Sequence, residues 1–232
     1  MDIGYLTSDA MKYPLTDWKK VIILGILFFA SFLIVPAFLA MGYAFRSLKW
    51  SIADVHELPD FDEWSEMFFD GLRVFLVQLA YFLVPFIIIF AGLWASINSI
   101  LTLQSSGSVL DPGAALSLMG GLFILGSIFA VVSGVFFTIA LANMAYYDGE
   151  ISAAFRFKEL LNMITSIGWV DYIIWYVMMI LIGLGVGFLA TILVFIPILG
   201  WALIILVIYP YLYLLYARAL GLLFISGLQE LG

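Results

Sequence analysis

The chain has 232 residues, of which 65% are hydrophobic and only 11% charged, and its mean hydropathy is +1.17. A soluble domain carries roughly 45–50% apolar and about 25% charged residues, so this composition places the chain in a lipid bilayer. Nine Lys plus Arg against sixteen Asp plus Glu leave no basic stripe for nucleic acid, and zero Cys with a single His (His56) excludes disulfides, thiol nucleophiles, Cys-ligated metals and paired-histidine haem.

Asp2, Asp9 and Asp17 precede any apolar run, so no cleavable signal peptide is expected, and the first apolar segment should act as its own insertion signal. Ser8–Lys20, with Met11, Leu15 and Trp18, reads as a short amphipathic helix lying in the membrane interface. Val21–Phe45 follows, 25 uncharged residues interrupted by Pro36. Two readings stay open for it: a re-entrant hairpin broken near Pro36, or one kinked span crossing with tilt. In Phe61–Phe75, Phe61, Trp64, Phe68, Leu72 and Phe75 fall on one helical face and Asp62, Glu63, Glu66, Asp70 and Arg73 on the other, a second interfacial pattern. Val74–Ile97 reads as a span, Asn98–Asp111 as a polar loop and Met119–Tyr146 as the returning span. Ile151–Ile167 sets Ile151, Phe155, Leu160, Ile164 and Ile167 against Arg156, Lys158, Glu159 and Asn162, a third interfacial helix. Tyr172–Ala217 is 46 uncharged residues. At ~1.5 Å per residue it is about twice the ~30 Å hydrocarbon thickness, so two spans are expected, turning at Phe195–Gly200 where Pro197 and Gly200 interrupt the helix.

The interfacial stretches suggest one unit used three times, an interfacial helix followed by a membrane hairpin, over 1–50, 51–147 and 148–232 of a single membrane domain. Pro14–Trp18 parallels Pro59–Trp64 with one inserted residue, and the helix ends Gly42–Arg46, Asn143–Tyr147 and Tyr213–Arg218 echo each other. If the first unit is a hairpin, all nine basic residues fall on one face, which the positive-inside rule makes cytoplasmic together with both termini, and only Asp111 faces outward. Five plain spans would instead divide the basic residues six to three. On the hairpin topology Trp94 and Trp201 form the outer aromatic belt and Trp18, Trp50, Trp64 and Trp169 the inner one.

The densest polar region runs from Asp54 to Asp70, and within it Glu63, Glu66 and Asp70 lie three and four apart on one face. They form a candidate surface for docking a partner, or, with His56, a weak candidate for a divalent cation; the alternative is a solvated helix face with Asp70 and Arg73 paired locally. Gly183-Leu-Gly-Val-Gly187 sits inside a span, without the strand that a dinucleotide loop needs, and reads as a helix-packing face. Gly126, Ala130 and Gly134 read likewise, as do Ala217 and Gly221. Polar groups at membrane depth reduce to Gln78, Thr138, Asn143 and Thr191, with Arg218 expected to snorkel or to pair with Asp171. No catalytic motif, cofactor loop or metal-ligand spacing occurs, so no enzyme activity and no cofactor are expected.

Pro14-Leu-Thr-Asp-Trp-Lys-Lys20, Gly42-Tyr-Ala-Phe-Arg46 and Glu57-Leu-Pro-Asp-Phe-Asp-Glu-Trp64 through Asp70-Gly-Leu72 resemble a mainly archaeal family of multi-pass membrane proteins known as domain of unknown function 4013. The layout is also similar to the membrane domain attached to some bacterial glycerophosphodiester phosphodiesterases. The first resemblance implies an archaeal membrane setting and assigns no chemistry; the second is architectural only. The resulting expectation is an all-α integral membrane protein in the cell membrane, contacting lipids and not nucleic acid. Its expected role is a non-catalytic, self-associating scaffold that organises the membrane. The alternatives are a permeation protein for a small neutral or lipid-like solute and an accessory subunit of a membrane complex.

Overall fold

A computed structural model describes residues 3–106 and 112–231, all helices and turns. The N-terminal stretch is two helices rather than one. Helix α1 (Ile3–Lys12) passes into a 3-10 turn over Tyr13–Thr16, and α2 (Trp18–Phe29) begins afresh. Asp17 causes the restart: it is extended, and its carboxylate accepts from the backbone N–H groups of Lys19 and Lys20 at 3.0 and 3.2 Å, a standard helix N-cap.

The segment Val21–Phe45 is a helical hairpin. After α2 come a 3-10 turn at Ala30–Phe32, an extended Leu33, and then α3 (Ile34–Ile52). The break thus precedes Pro36, which sits in the first turn of α3 where a missing N–H costs nothing. Val21 and Leu24 of α2 share a buried cluster with Leu39, Ala40 and Tyr43 of α3, so the chain runs back on itself. The tip is apolar and bare: Phe29, Phe32, Leu33 and Ile34 are all exposed, Phe32 at 79%.

Four helices are long and apolar enough to cross a membrane, over Trp64–Asn98, Gly120–Tyr146, Trp169–Val194 and Leu199–Glu230. The first belongs to α4 (Trp64–Ser106) and the second to α5 (Pro112–Tyr146). Phe61–Phe75 is therefore not a separate interfacial helix. Its residues from Trp64 onward are the start of α4, because Asp70 and Arg73 of the polar face find protein partners and the helix continues through Val74. The expected polar loop also shrinks: residues 98–106 continue α4 and α5 is helical from Pro112. Asp111, expected to be the lone outward charge, lies outside the described residues.

Ile151–Ile167 divides into a 3-10 turn (Ile151–Phe155) and the amphipathic α6 (Phe157–Ile167), which buries Leu160, Met163, Ile164 and Ile167. Gly168, at φ +93°, turns the chain into α7 (Trp169–Val194). The second expected turn is present at 195–198, with Ile198 at φ +65° and Phe195 86% exposed. Gly200 itself begins the next helix, where a Cβ would strike the Leu193 carbonyl. That helix runs as α8 (Leu199–Leu203), a π-helical turn (Ile204–Ile208) and α9 (Tyr209–Leu231). The π turn lies just before Pro210, whose ring cannot donate an N–H and crowds the carbonyl of Leu206 four residues back. Gly25 of α2 packs directly on that Leu206 backbone, leaving no room for a side chain.

Two compact units emerge, residues 1–77 with 138–232, and residues 78–137. They cut across the three sequence units, since α4 and α5 each contribute to both. In the second unit α4 and α5 pack through Gly92 on Leu122, Gly126 on Ile89, and Tyr81 and Phe82 on Phe137 at 5.8 and 5.6 Å between ring centroids. In the first unit α3 and α4 meet backbone to backbone: a Cβ on Gly42 would collide with the Met67 carbonyl, and one on Gly71 with the Phe38 carbonyl.

Candidate functional site

The polar chemistry of the first unit gathers around the connector between α3 and α4, residues 53–63. It starts at a helix C-cap. Asp54 is left-handed at φ 57°, its N–H bonds to the Ser51 carbonyl at 3.2 Å, and the Val55 N–H reaches back to Trp50 at 2.9 Å, the paired bonds of a Schellman ending. Helix α5 ends the same way: Asp148 has φ 53°, its N–H meets Ala145, and the Gly149 N–H meets Met144 at 2.8 Å. The connector closes at Glu63, also left-handed at φ 47°.

Between those ends almost every residue is clamped. The Tyr13 hydroxyl donates to the Glu57 carbonyl at 3.1 Å, and Lys20 donates to the Leu58 carbonyl at 2.7 Å while pairing with Asp60 at 2.8 Å. Leu58 is buried, and the Tyr43 hydroxyl donates to the Pro59 carbonyl at 2.9 Å. The Phe61 ring stacks on Tyr43, with centroids 3.9 Å apart and planes 4° from parallel. Arg46 donates to the Asp62 carbonyl at 3.0 Å and to its carboxylate at 2.6 Å, and its second terminal nitrogen lies 3.6 Å from Glu63. The Leu-Pro-Asp-Phe-Asp-Glu run is thus a strap across α2 and α3, and each letter has a mechanical reason.

Residues 23–195 match the family described as Protein of unknown function (DUF4013). The chain belongs to the DUF4013 family. No curated protein and no solved structure matched it. In this DUF4013 chain the strap lies inside the matched stretch, whereas two residues that anchor it from outside, Asp9 and Arg218, do not.

Arg218 is where the reading of the sequence fails most. It has Asp9 rather than Asp171 as its carboxylate partner. It is fully buried, with Nε donating to Asp9 at 2.8 Å, Nη1 to the Val55 carbonyl at 3.0 Å and Nη2 lying 2.5 Å from His56 Nδ1. The Tyr13 ring lies under the guanidinium, 5.3 Å from centroid to charge. Burial pushes the Tyr13 hydroxyl up to about 12, against the opposing pull of its Ser51 hydrogen bond and the Arg218 charge, so it stays a neutral donor.

The proposed docking trio separates. Glu63 and Glu66 are exposed, but Asp70 is only 1% exposed and accepts from Lys49 at 3.0 Å and Arg73 at 2.8 Å. Lys49 also reaches Asp148 at 3.0 Å, so this buried carboxylate ties α3 and α4 to the turn after α5. The local Asp70–Arg73 pair expected from spacing is present, but as part of that three-way knot. Among the described residues no three His, Asp or Glu side chains converge to hold a metal ion. The three helix ends that echo one another in sequence all serve as anchors for the connectors. Tyr43 and Arg46 hold the strap, Asn143 donates to the Ala153 carbonyl at 2.9 Å while Tyr147 lies under Arg156, and Arg218 holds Val55 and His56.

Of the packing residues, Gly126 meets Ile89, Gly134 and Ala217 are buried, and Gly221 sits on Ser51. Gly183 leaves room for the Tyr216 hydroxyl, which donates to the Met179 carbonyl at 3.1 Å. Gly187 faces open space, so the Gly183–Gly187 pair is not one internal face. Gly25, Gly42 and Gly71 escape the sequence pattern. Each is isolated in sequence, and the small-xxx-small search finds only repeats on one helix, whereas here single glycines of different helices meet.

The Lys20 hydrogen bond and then its charge hold the Asp60 carboxyl below its ordinary 3.8. A depressed carboxylate stabilises the fold fully above that ordinary value and loses its contribution as pH falls through the lower folded value. Asp60→Asn is therefore expected to lower the thermal midpoint slightly at pH 6, with the gap from wild type closing below pH 3.8. A gap that does not narrow as pH falls below 3.8 would show that the carboxylate charge is not what holds the strap there.

Proposed function

We propose that this DUF4013 protein is a non-catalytic, self-associating protein that organises the cell membrane, with its strap, α1, α6 and both termini on the cytoplasmic side. The observation that carries the reading is the α2–α3 hairpin. Helix α2 has 12 residues, about 18 Å at ~1.5 Å per residue, short of the ~30 Å hydrocarbon core. Its bare apolar tip suits lipid, and its turn has no polar side chain beyond Ser31, which donates to its own Leu27 carbonyl. A hairpin that enters and returns adds helix cross-section to one leaflet only. The basic residues all lie in residues 12–73 and 156–218, which supports placing that leaflet inside. Gly187, with Gly185, Gly120 and Gly121, meets nothing among the described residues and offers close-approach surfaces to a second copy.

Two of the polar side chains that a transport path would use are already committed: the Thr191 hydroxyl donates to the Phe188 carbonyl, and Asn143 donates to the Ala153 carbonyl. The pocket lined by Phe123, Ile124, Ser127, Ile128, Val131 and Val132 is open and apolar. The test is reconstitution into liposomes at rising protein density, imaged by cryo-electron microscopy. Tubes or narrowed vesicles are expected, from a preparation that forms a discrete oligomer by mass photometry. Smooth spherical vesicles at high density, or a monomer, would sink the proposal.

A further inference from the structure

The only histidine of the chain contacts its most deeply buried charge. Guanidinium nitrogens are donors only, so His56 Nδ1, 2.5 Å from Arg218 Nη2, must be the acceptor, and the ring there is neutral with its proton on Nε2. A doubly protonated imidazole has no lone pair to offer and carries a positive charge. We infer that the strap is a proton-operated latch: protonation of His56 expels it from Arg218 and loosens the strap around it, while the other clamps hold.

Three features make the contact a switch rather than a static bond. First, His56 is exposed although its partner is not, so a solvent proton can take Nδ1, the ring's one basic nitrogen, whenever the contact opens, without unfolding anything. Secondly, Arg218 cannot move away. Asp9 of α1 holds its Nε, the Val55 carbonyl holds its Nη1, and Tyr13 underlies it. The imidazolium must therefore be the group that leaves. Thirdly, the groups around His56 reward departure. Arg218 from α9 repels it, Tyr13 offers a neutral hydroxyl already given to the Glu57 carbonyl, and Asp9 is engaged by the guanidinium. The exposed carboxylates of its chain neighbours Asp54 and Glu57 attract it outward. Imidazole is the side-chain type whose ordinary titration falls between pH 5 and 8, whereas the clamps at Asp60 and Asp62 pair carboxylates with an ammonium and a guanidinium, group types that ordinarily titrate outside that range. The latch thus loosens around His56, while the Val55 carbonyl stays on Arg218 and the strap stays pinned at Asp60–Asp62.

Hydrogen exchange of the full chain in nanodiscs, followed by mass spectrometry at pH 7.5 and 5.5 and corrected for the intrinsic chemical rate, reads this directly. Wild type is expected to show at least a five-fold faster corrected exchange at pH 5.5 in peptides covering 53–58, with little change at 60–63. His56→Gln keeps an acceptor that does not titrate, and its exchange at 53–58 is expected to be the same at both pH values. Wild-type exchange that is independent of pH overturns the latch, whatever the variant does. Equal acceleration in wild type and His56→Gln overturns it too, because some other group would then be the sensor.

Discussion

Asp9→Ala is expected to cost about 3–5 kcal/mol, because it strands a fully buried guanidinium without its countercharge. For a chain of this size that corresponds to a fall of roughly 6–20 °C in the thermal midpoint, readable by intrinsic tryptophan fluorescence in detergent. The size of the effect comes from the stranded charge more than from the lost bond. The double variant Asp9→Ala with Arg218→Met should therefore recover much of the loss, since an apolar side chain of similar length fills the site without needing a partner. A double variant less stable than Asp9→Ala alone would mean that the bonds of Arg218 to Val55 and His56, rather than its pairing with Asp9, dominate the site.

Gly42→Ala and Gly71→Ala should each destabilise by about 3 kcal/mol, the upper end for overpacking. The obstacle in both cases is a backbone carbonyl, Met67 or Phe38, and no rotamer change can relieve it. The helices must separate, which also pulls Phe38 away from Phe68 and Phe75, now at 5.4 and 5.5 Å. Once separated they tolerate the second methyl, so the double variant should cost less than the sum of the two. Gly187→Ala is the contrast. No described residue lies within 4 Å of the added Cβ, and relief of glycine's helix penalty, about 0.5–1 kcal/mol, should leave the monomer as stable as wild type or slightly more so. Thermal midpoints of the four variants decide this. Equal losses at Gly42 and Gly187 would refute the backbone contact between α3 and α4.

Much of the fold was legible because lipid imposes simple rules. Long uncharged runs had to be helices, 46 uncharged residues could not be one span, and Pro197 marked the turn. The return of the chain within Val21–Phe45 was one of two open readings, favoured because it gathers all nine basic residues on one face. The misplacements share a cause. Amphipathicity at Phe61–Phe75 implied water, but the polar partners were protein groups: Asp70 faces Lys49 and Arg73. Pairings such as Asp9 with Arg218, 209 positions apart, or Lys49 with Asp148, 99 apart, leave no local trace. One signal was nonetheless present. A lone arginine inside an apolar C-terminal helix needs a carboxylate, and three aspartates stood ahead of the first apolar run.

The contact between α1 and Arg218 also sets an order of events during synthesis. Asp9 and the Gly25 surface both need α9 or the π turn before it, and Arg218 follows Asp9 by 209 residues. At about 5–20 residues per second the ribosome reaches Arg218 roughly 10–40 s after Asp9. Throughout that interval the first hairpin has neither its docking groove nor its countercharge. A hairpin made early in synthesis is thus among the last elements to reach its final place, and translation halted before α9 leaves it without the π turn on which Gly25 packs.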